Sequence, residues 1–405
     1  MQSKTRFKKT EIGKISEDWK KKILGEEIEL CYGKGLPKSK RNFGVTPVFG
    51  SNGIVGYHND SLAKGPGIIV GRKGSVGEVK FSKDDFWAID TTYFVKLKRK
   101  GDIHFWYYLL LTLKLTKMNS HSAVPGLNRD NVYGLLKRIP NLEDQQCITK
   151  ILSDLDSRIE LNQEMNKTLE AIGQTLFKRW FVDFEFPNDE GKPYKSNGGE
   201  MFDSEIGKIP KEWKITELKE CGDIICGKTP PTKDKDNYGV DVPFITIPDM
   251  RGKVFAIKTE RKLSLVGAKT QTKKELPPLS ICVSCIATPG IVVLTSETSY
   301  TNQQINSIVC KREISPYFIY LIMSKMSEQI KLLGLGGTAT LNLNTGNFSK
   351  IKVIYPSTQV MKTFHAKMKA IFDKILLNVK EMNMLFQVRD SLLPRLMSGK
   401  IRVRR

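Results

Sequence analysis

Arg72, Lys73 and Ser75 stand on a glycine-framed turn, GRKGSVG (71–77), between two β-like runs. Glycines let backbone amides come close to a ligand, and an arginine fork matches the O6 and N7 acceptors of guanine. The turn reads as a hairpin facing DNA rather than a merely solvated one. KSKRN (38–42), with Lys38, Lys40 and Arg41, is a second basic loop. TKDKDN (232–237), with Lys233, is a third, although its acids nearly balance its lysines. SHSAVPGLN (120–128) and GGTATLNLN (336–344) are small, polar and turn-rich. Their Ser122, Asn128, Thr338, Thr340 and Asn344 could contact phosphates through hydroxyls and amides. Arg251 completes the candidate DNA contacts, together with Lys228 and Thr229.

Lys228 and Thr229 belong to a stretch that matches a nucleotide-binding pattern letter for letter. Gly222, Gly227, Lys228 and Thr229 spell GxxxxGK[ST]. That loop needs a buried strand before the first glycine and a helix opening at the lysine. Here the charged ELKEC precedes it and Pro230-Pro231 follow, where proline disfavours α conformation at its predecessor. The expected structure is a Gly-Lys-Thr-Pro loop whose Lys228 reaches a phosphate backbone. Cys282 and Cys285 form a lone CxxC in an apolar run, with four histidines in the whole chain and no second cysteine pair; strand core is expected, not zinc. Neither Pro-Pro pair (TPPT, LPPL) has the Asn, Asp or Ser before it and the aromatic after it that amino-methyltransferases use. No clustered carboxylates or nucleophile elbow stand out either, so the chain reads as non-catalytic.

Bulk chemistry agrees with a polyanionic partner. Lys+Arg total 65 against Asp+Glu 43, a net charge of +22 spread over both halves rather than held in a tail. Seven cysteines at irregular spacing do not make a disulfide framework, and the charged N-terminal stretch has no apolar signal region; a cytoplasmic protein is expected. The longest apolar run, Trp106 to Leu113, is too short for a bilayer.

The elements that must position these residues occur twice. EIGKISEDWK (11–20) returns as EIGKIPKEWK (205–214), displaced by 194. Leu127-Asn128, Asn131 and Pro140 return as Leu343-Asn344, Asn347 and Pro356, displaced by 216. Between them each copy has short β-like runs broken by Gly, Pro and Asn, then one apolar helix candidate, FWYYLLLTLKL (105–115) and PYFIYLIMSKM (316–326). The predicted fold is α+β: two pseudo-symmetric mixed α/β domains separated by an antiparallel pair of long coiled-coil helices. The boundaries are 1–140 for the first domain, 141–185 for the first long helix and 186–199 for a flexible linker. They continue with 200–357 for the second domain, 358–398 for the second long helix and 399–405 for a mobile basic tail.

After Pro140 the apolar period becomes a heptad. Leu152, Leu155, Ile159, Asn162, Asn166, Leu169, Gly173, Leu176 and Trp180 follow steps of three and four. The displaced copies are Met368, Ile371, Ile375, Asn378, Met382, Leu385, Arg389, Leu392 and Leu396. About 40 residues would make a rod of roughly 60 Å. Pairing is preferred over each helix packing on its own domain. Asn162 and Asn378 share a seam position, where a buried Asn fixes register at a cost in stability; a solvated position at the seam edge is the alternative. Trp180, Phe181 and Phe184 are apolar at helical spacing, and either a partner subunit or the second helix could cover them.

This order of pieces resembles the specificity subunit of type I restriction-modification enzymes. The residues carrying the resemblance are IVGRKGSVGEV with WAIDTTYFV (87–95), LDSRIELNQEMNKTLEAIGQTLFKRWFVDF (155–184), the GKTP turn with VPFITIPDM (242–250), SCIATPGIV (284–292), NQQIN (302–306) and RDSLLPRLMSGKI (389–401). Ser16 stands where the family's leader has Pro, whereas Pro210 keeps the pattern. The resemblance implies two target-recognition domains that each read one half of a split double-stranded DNA sequence. It also implies helices that act as a ruler and as a dock for two modification subunits. S-adenosylmethionine, ATP and Mg would then belong to partner methyltransferase and restriction/translocase subunits, and this chain would hold no cofactor. The competing readings are an architectural DNA-bridging protein without sequence preference and a phosphate-loop ATPase.

Overall fold

The computed structural model describes residues 7–10, 13–16, 19–118, 126–205, 207–333 and 342–403. The chain divides into two compact units, residues 1–160 with 383–405, and residues 161–382.

In the first unit, four antiparallel strands run in the order Ile28–Tyr32, Thr92–Leu97, Gly67–Gly71, Val79–Ser82. The strand GIIVG (67–71) is buried throughout: Ile68 and Val70 enter one apolar cluster and Ile69 the other, as a period of two requires. A smaller sheet holds Thr46–Gly50 between Gly53–His58 and the parallel Trp87–Ala88. The apolar stretch expected to be helical is the helix Ile103–Thr112. Asp102 caps it by accepting from the amides of His104 and Phe105. Strand Lys20–Ile23 pairs with Leu136–Ile139, and the latter leads the chain into the first long helix.

The second unit repeats this plan strand for strand. Its sheet runs Gly222–Cys226, Ile305–Cys310, Ile281–Ser284, Val292–Thr295, with an added strand Phe255–Ala256 at the edge. Tyr238–Ile245 lies between Arg261–Leu263 and the parallel Tyr300–Thr301, and Lys214–Glu217 pairs with Lys352–Tyr355. The helix Pro316–Lys325 answers Ile103–Thr112. Between Tyr238–Ile245 and Ile281–Ser284 the second copy also carries helices Ile247–Met250 and Leu265–Lys269. This insertion accounts for most of the change in repeat offset from 194 to 216.

The long helices, Leu142–Phe181 and Thr358–Met397, have 40 residues each, a length of about 60 Å. The heptad seam is the buried face. Leu152, Ile159, Asn162, Trp180, Met368, Ile375 and Asn378 are buried, while Leu155, Leu169, Leu176, Ile371, Leu385 and Leu392 are half-buried. Within the second unit, Asn378 Nδ2 donates to Asn166 Oδ1 at 2.8 Å, and Gly173 faces Met368 and Phe372. Numbers rise along one helix as they fall along the other, so the helices run antiparallel there. Within the first unit, Arg389 Nη1 donates to Asp156 Oδ1 at 2.8 Å, and Asp156 Oδ2 accepts from Tyr108 at 2.6 Å. Leu152 shares an apolar cluster with Leu392, Leu396 and Met397, again in antiparallel sense.

Of the two readings open for Asn162 and Asn378, the structure takes the buried one: both are fully buried, not solvated at the seam edge. The stretch 186–199 is a packed loop, not a flexible linker. Phe186 is buried and stacks on Tyr194 (4.6 Å) and Trp213 (4.9 Å), while the Asn188 side chain accepts from the amides of Glu190 and Lys192. Trp180 and Phe181 are covered from within: Trp180 meets Phe364 at 5.7 Å, and Phe181 meets Phe318 and Phe364 at 4.7 Å, so no partner subunit is needed to bury them. Half-buried Phe184 abuts Trp213. The start of the basic tail is folded too, with Ile401 N donating to Arg395 O and Gly399 facing Trp19. Pro394 lies in the last turn of its helix and supplies no N–H to it.

The amide of Asn162 has neither oxygen nor nitrogen hydrogen-bonded to protein. Its repeat copy Asn378 finds Asn166, but the copy of Asn166 is Met382. Leaving a buried amide unmatched costs about 1–3 kcal/mol. Asn162→Leu is therefore expected to raise stability by about that amount, read as a higher urea midpoint at unchanged m-value. An unchanged or lowered midpoint would show that the amide is satisfied in solution.

Candidate nucleic-acid interface

Two turns and a docked Leu-Asn pair form the same frame in each unit, fixed largely by main-chain hydrogen bonds. After strand Ile28–Tyr32, Gly33 N donates to Thr92 O and Lys34 N to Ala88 O. After strand Gly222–Cys226, Gly227 N donates to Ile305 O and Lys228 N to Thr301 O. A Cβ on Gly33 would lie 2.0 Å from Ile89 O, and one on Gly227 2.2 Å from Asn302 O; only glycine permits this approach. Both lysines are thereby held at the surface, exposed. Thr229 donates to the side-chain oxygen of Gln303 at 2.6 Å. Lys34 is absent from the contacts expected from sequence, although the offset of 194 places it on Lys228.

The match to a nucleotide-binding loop dissolves in this geometry. Gly222 opens a strand that runs to Cys226, and Lys228 lies in the irregular stretch that follows rather than at a helix start. Cys282 is strand core, as expected, and Cys285 is buried just past the end of the same strand. They enter different apolar clusters, so they face apart, and burial pushes their thiols up to about 12 and about 11. Among the described residues no group of His, Cys, Asp or Glu is arranged to hold a metal ion.

In the hairpin 71–77, Gly77 N donates to Gly71 O, with Gly74 at φ 75° and Gly77 at φ 76°. The second unit repeats it: Gly290 N donates to Ser284 O, with Ala287 at φ 63° and Gly290 at φ 93°. The Leu-Asn pair then docks on each hairpin. Leu127 N donates to Arg72 O at 2.9 Å and Leu343 N to Cys285 O at 2.9 Å. Asn128 and Asn344 remain exposed, but each spends its side-chain oxygen capping the short helix behind it, accepting from Asp130 N and Asn347 N.

The other candidates are distributed more loosely. Lys73 is exposed, and the Ser75 amide donates to the Ser51 hydroxyl. Lys38 and Lys40 are exposed on a 3₁₀ turn. Arg41, next to them, braces the fold instead. Its guanidinium donates to Leu36 O and, at 2.7 Å, to Val55 O, pinning this loop to the strand Gly53–His58. Lys233 and Arg251 are exposed on separate loops. Ser122, Thr338 and Thr340 lie outside the described residues. Tyr32 and Arg129 were not anticipated. The Arg72 and Arg129 guanidinium carbons lie 4.8 and 5.0 Å from the Tyr32 ring centroid, an assembly of residues about 40 to 100 positions apart that only the sheet brings together.

Comparison with known proteins places this frame. The chain matches the family model "Type I restriction modification DNA specificity domain" twice, over residues 16–171 and 210–385. It is 41% identical over 339 residues to the type I restriction enzyme HindI specificity subunit of Haemophilus influenzae, covering 71% of this chain and 74% of that one. It is 23% identical to the MjaIX specificity subunit of Methanocaldococcus jannaschii, over 98% of this chain and 97% of the relative. The crystal structure of the type I restriction-modification S subunit from M. genitalium superposes with a TM-score of 0.66 at 17% identity, over 93% of this chain and 96% of that one, and shares its fold. With two matched domains, a frame built twice and a relative at 41% identity, the chain belongs to the type I restriction-modification DNA specificity family, whose members are specificity subunits and not catalytic ones.

Proposed function

We propose that this chain recognises a bipartite double-stranded DNA target, one half per unit, and brings modification subunits to it. The observation that supports this most is the paired frame: the same turns, held by the same backbone hydrogen bonds, present different side chains in the two copies. A shared frame with different occupants is what a reader of two unlike half-sites requires; a bridging protein without sequence preference has no use for the difference. Lys34 and Lys228 contact phosphate and set the register, with Lys38, Lys40, Lys73, Lys233 and Arg251 adding charge. Asn128 and Asn344 offer their amide NH₂ groups to the same surface. Arg41 shapes its loop. The two halves lie on major-groove faces about one helical turn, roughly 34–36 Å, apart, and the paired long helices set the spacing.

In this reading two methyltransferase subunits dock on the chain, and restriction/translocase subunits complete the assembly. S-adenosylmethionine, ATP and Mg are bound by those partners. In this reading the working compartment is the cytoplasm. No described helix is long and apolar enough to cross a membrane.

Mapping methylated adenines in DNA from cells that co-express the chain with its modification partner is expected to give one split motif of fixed spacing. Scattered methylation at equal density in random sequence would establish the non-specific alternative. Lys34→Ala and Lys228→Ala should each weaken binding and lower the slope of log K against log salt by about one, at unchanged sequence preference. Altered preference at undiminished affinity would remove the phosphate role.

Inserting four residues into one long helix alone should disrupt the Asn378–Asn166 and Arg389–Asp156 contacts and destabilise the chain. Matched insertions in both helices should fold and lengthen the unread gap in the methylated motif. An unchanged gap in the doubly lengthened protein would exclude the spacing role.

A further inference from the structure

The equivalent frames hold opposite chemistries at one corner. In the first unit Tyr32 pairs across the sheet with Tyr93, their rings 5.2 Å apart. The Tyr93 hydroxyl donates to Leu127 O, which locks the docked Leu-Asn segment and the following Arg129 beside that pair. Arg72 and Arg129 both lie over the Tyr32 ring, and Tyr32 is 48% exposed. Among the described residues neither guanidinium is ion-paired with a carboxylate, so two like charges share one exposed ring. Arg72 gives one N–H to Asp90 O, whereas the Arg129 guanidinium donates to no described residue.

At the matching corner of the second unit, Cys226 pairs across the sheet with Asn306, in the places of Tyr32 and Tyr93. Asn306 Nδ2 reaches Leu343 O as the Tyr93 hydroxyl reaches Leu127 O, and its Oδ1 accepts from Thr345, the repeat copy of Arg129. Cys285 replaces Arg72. The second corner is uncharged and internally hydrogen-bonded. The first leaves planar donor arrays unspent beside an exposed aromatic face.

We infer that Arg129, positioned by Tyr32 and Arg72, is a specificity-determining residue that reads a guanine in the half-site of the first unit, and that the second unit makes no arginine–guanine contact at its matching corner. Guanine is the base whose major-groove edge offers two adjacent acceptors, O6 and N7, to a guanidinium fork. Tyr32 holds that fork in plane at low entropic cost, and the second cation deepens the positive potential toward the acceptors. A phosphate would also accept from the Arg129 fork, but a lysine can serve a phosphate as a point charge, whereas the two guanine acceptors are matched by the fork.

The inference rests on the proposed bipartite reading, and one experiment separates their failures. The full chain, co-expressed with its modification partner, would be compared with its Arg129→Lys, Arg129→Ala and Tyr32→Ala variants by genome-wide methylation mapping and by binding to duplexes substituted at each motif position. Arg129→Lys keeps the charge and loses the fork. The expected result is loss of discrimination at one guanine of the first half-site, tenfold or more, with the second half-site and the salt slope unchanged. Tyr32→Ala should relax the same position more weakly. If Arg129→Lys keeps full discrimination while Arg129→Ala weakens all sequences alike, Arg129 contacts phosphate and the inference fails although the bipartite reading stands. A wild-type chain that yields no split motif overturns that reading itself. A melting temperature for each variant within a few degrees of wild type excludes misfolding, since both side chains replaced are at least partly exposed.

Discussion

Neither apolar core closes without both long helices, and that constraint organises the chain. The core of the first unit takes Ile148 and Leu152 from the first helix and Leu396 and Met397 from the second. The core of the second takes Phe177, Trp180 and Phe181 from the first and Phe364, Met368 and Phe372 from the second. Each domain is therefore finished by a segment far away in sequence, and the antiparallel sense of the helices is fixed by burial rather than by propensity. Large aromatic and aliphatic side chains in these clusters contribute about 1.5–3 kcal/mol each when fully buried. A shift along the seam would withdraw several of them together.

Polar contacts in the seam then select one register. Asn378 with Asn166, and Arg389 with Asp156 and Tyr108, satisfy each other only when specific turns face. The repeat is broken where it matters for this choice. Gly173 and Phe372 occupy the places in the second unit that Arg389 and Asp156 occupy in the first, one site packed and the other charged. Such polar positions cost stability and repay it in specificity of pairing. The unpartnered Asn162 shows that this cost is not always recovered.

The helices were legible because a heptad sustained over nine positions, then repeated at a constant offset, leaves little room for another structure. The short strands were legible in kind though not in number, and the shared plan of the copies followed from the leaders. Packing that follows no period was hidden. Phe186, Tyr194 and Trp213 stack through a Gly- and Asn-rich loop whose composition says flexible, because three aromatic rings outweigh the local preference of their neighbours. Arg41 read as a DNA contact on a basic loop, and only the fold shows Val55 O taking its guanidinium. Lys34 was concealed by the letter match around Lys228, although the leader offset alone would have found it. Tyr32, Arg72 and Arg129 are joined by strand register, which no local pattern encodes.

The frames at the recognition corners are secured chiefly by amide–carbonyl bonds and by glycines that admit no substitute, with few side chains taking part. Folding and recognition consequently draw on separate sets of atoms. Side chains at these corners can be exchanged over generations with little loss of stability, so each half of the target can drift independently while the scaffold stays fixed. A protein obliged to change what it reads gains from that separation more than from any single strong contact.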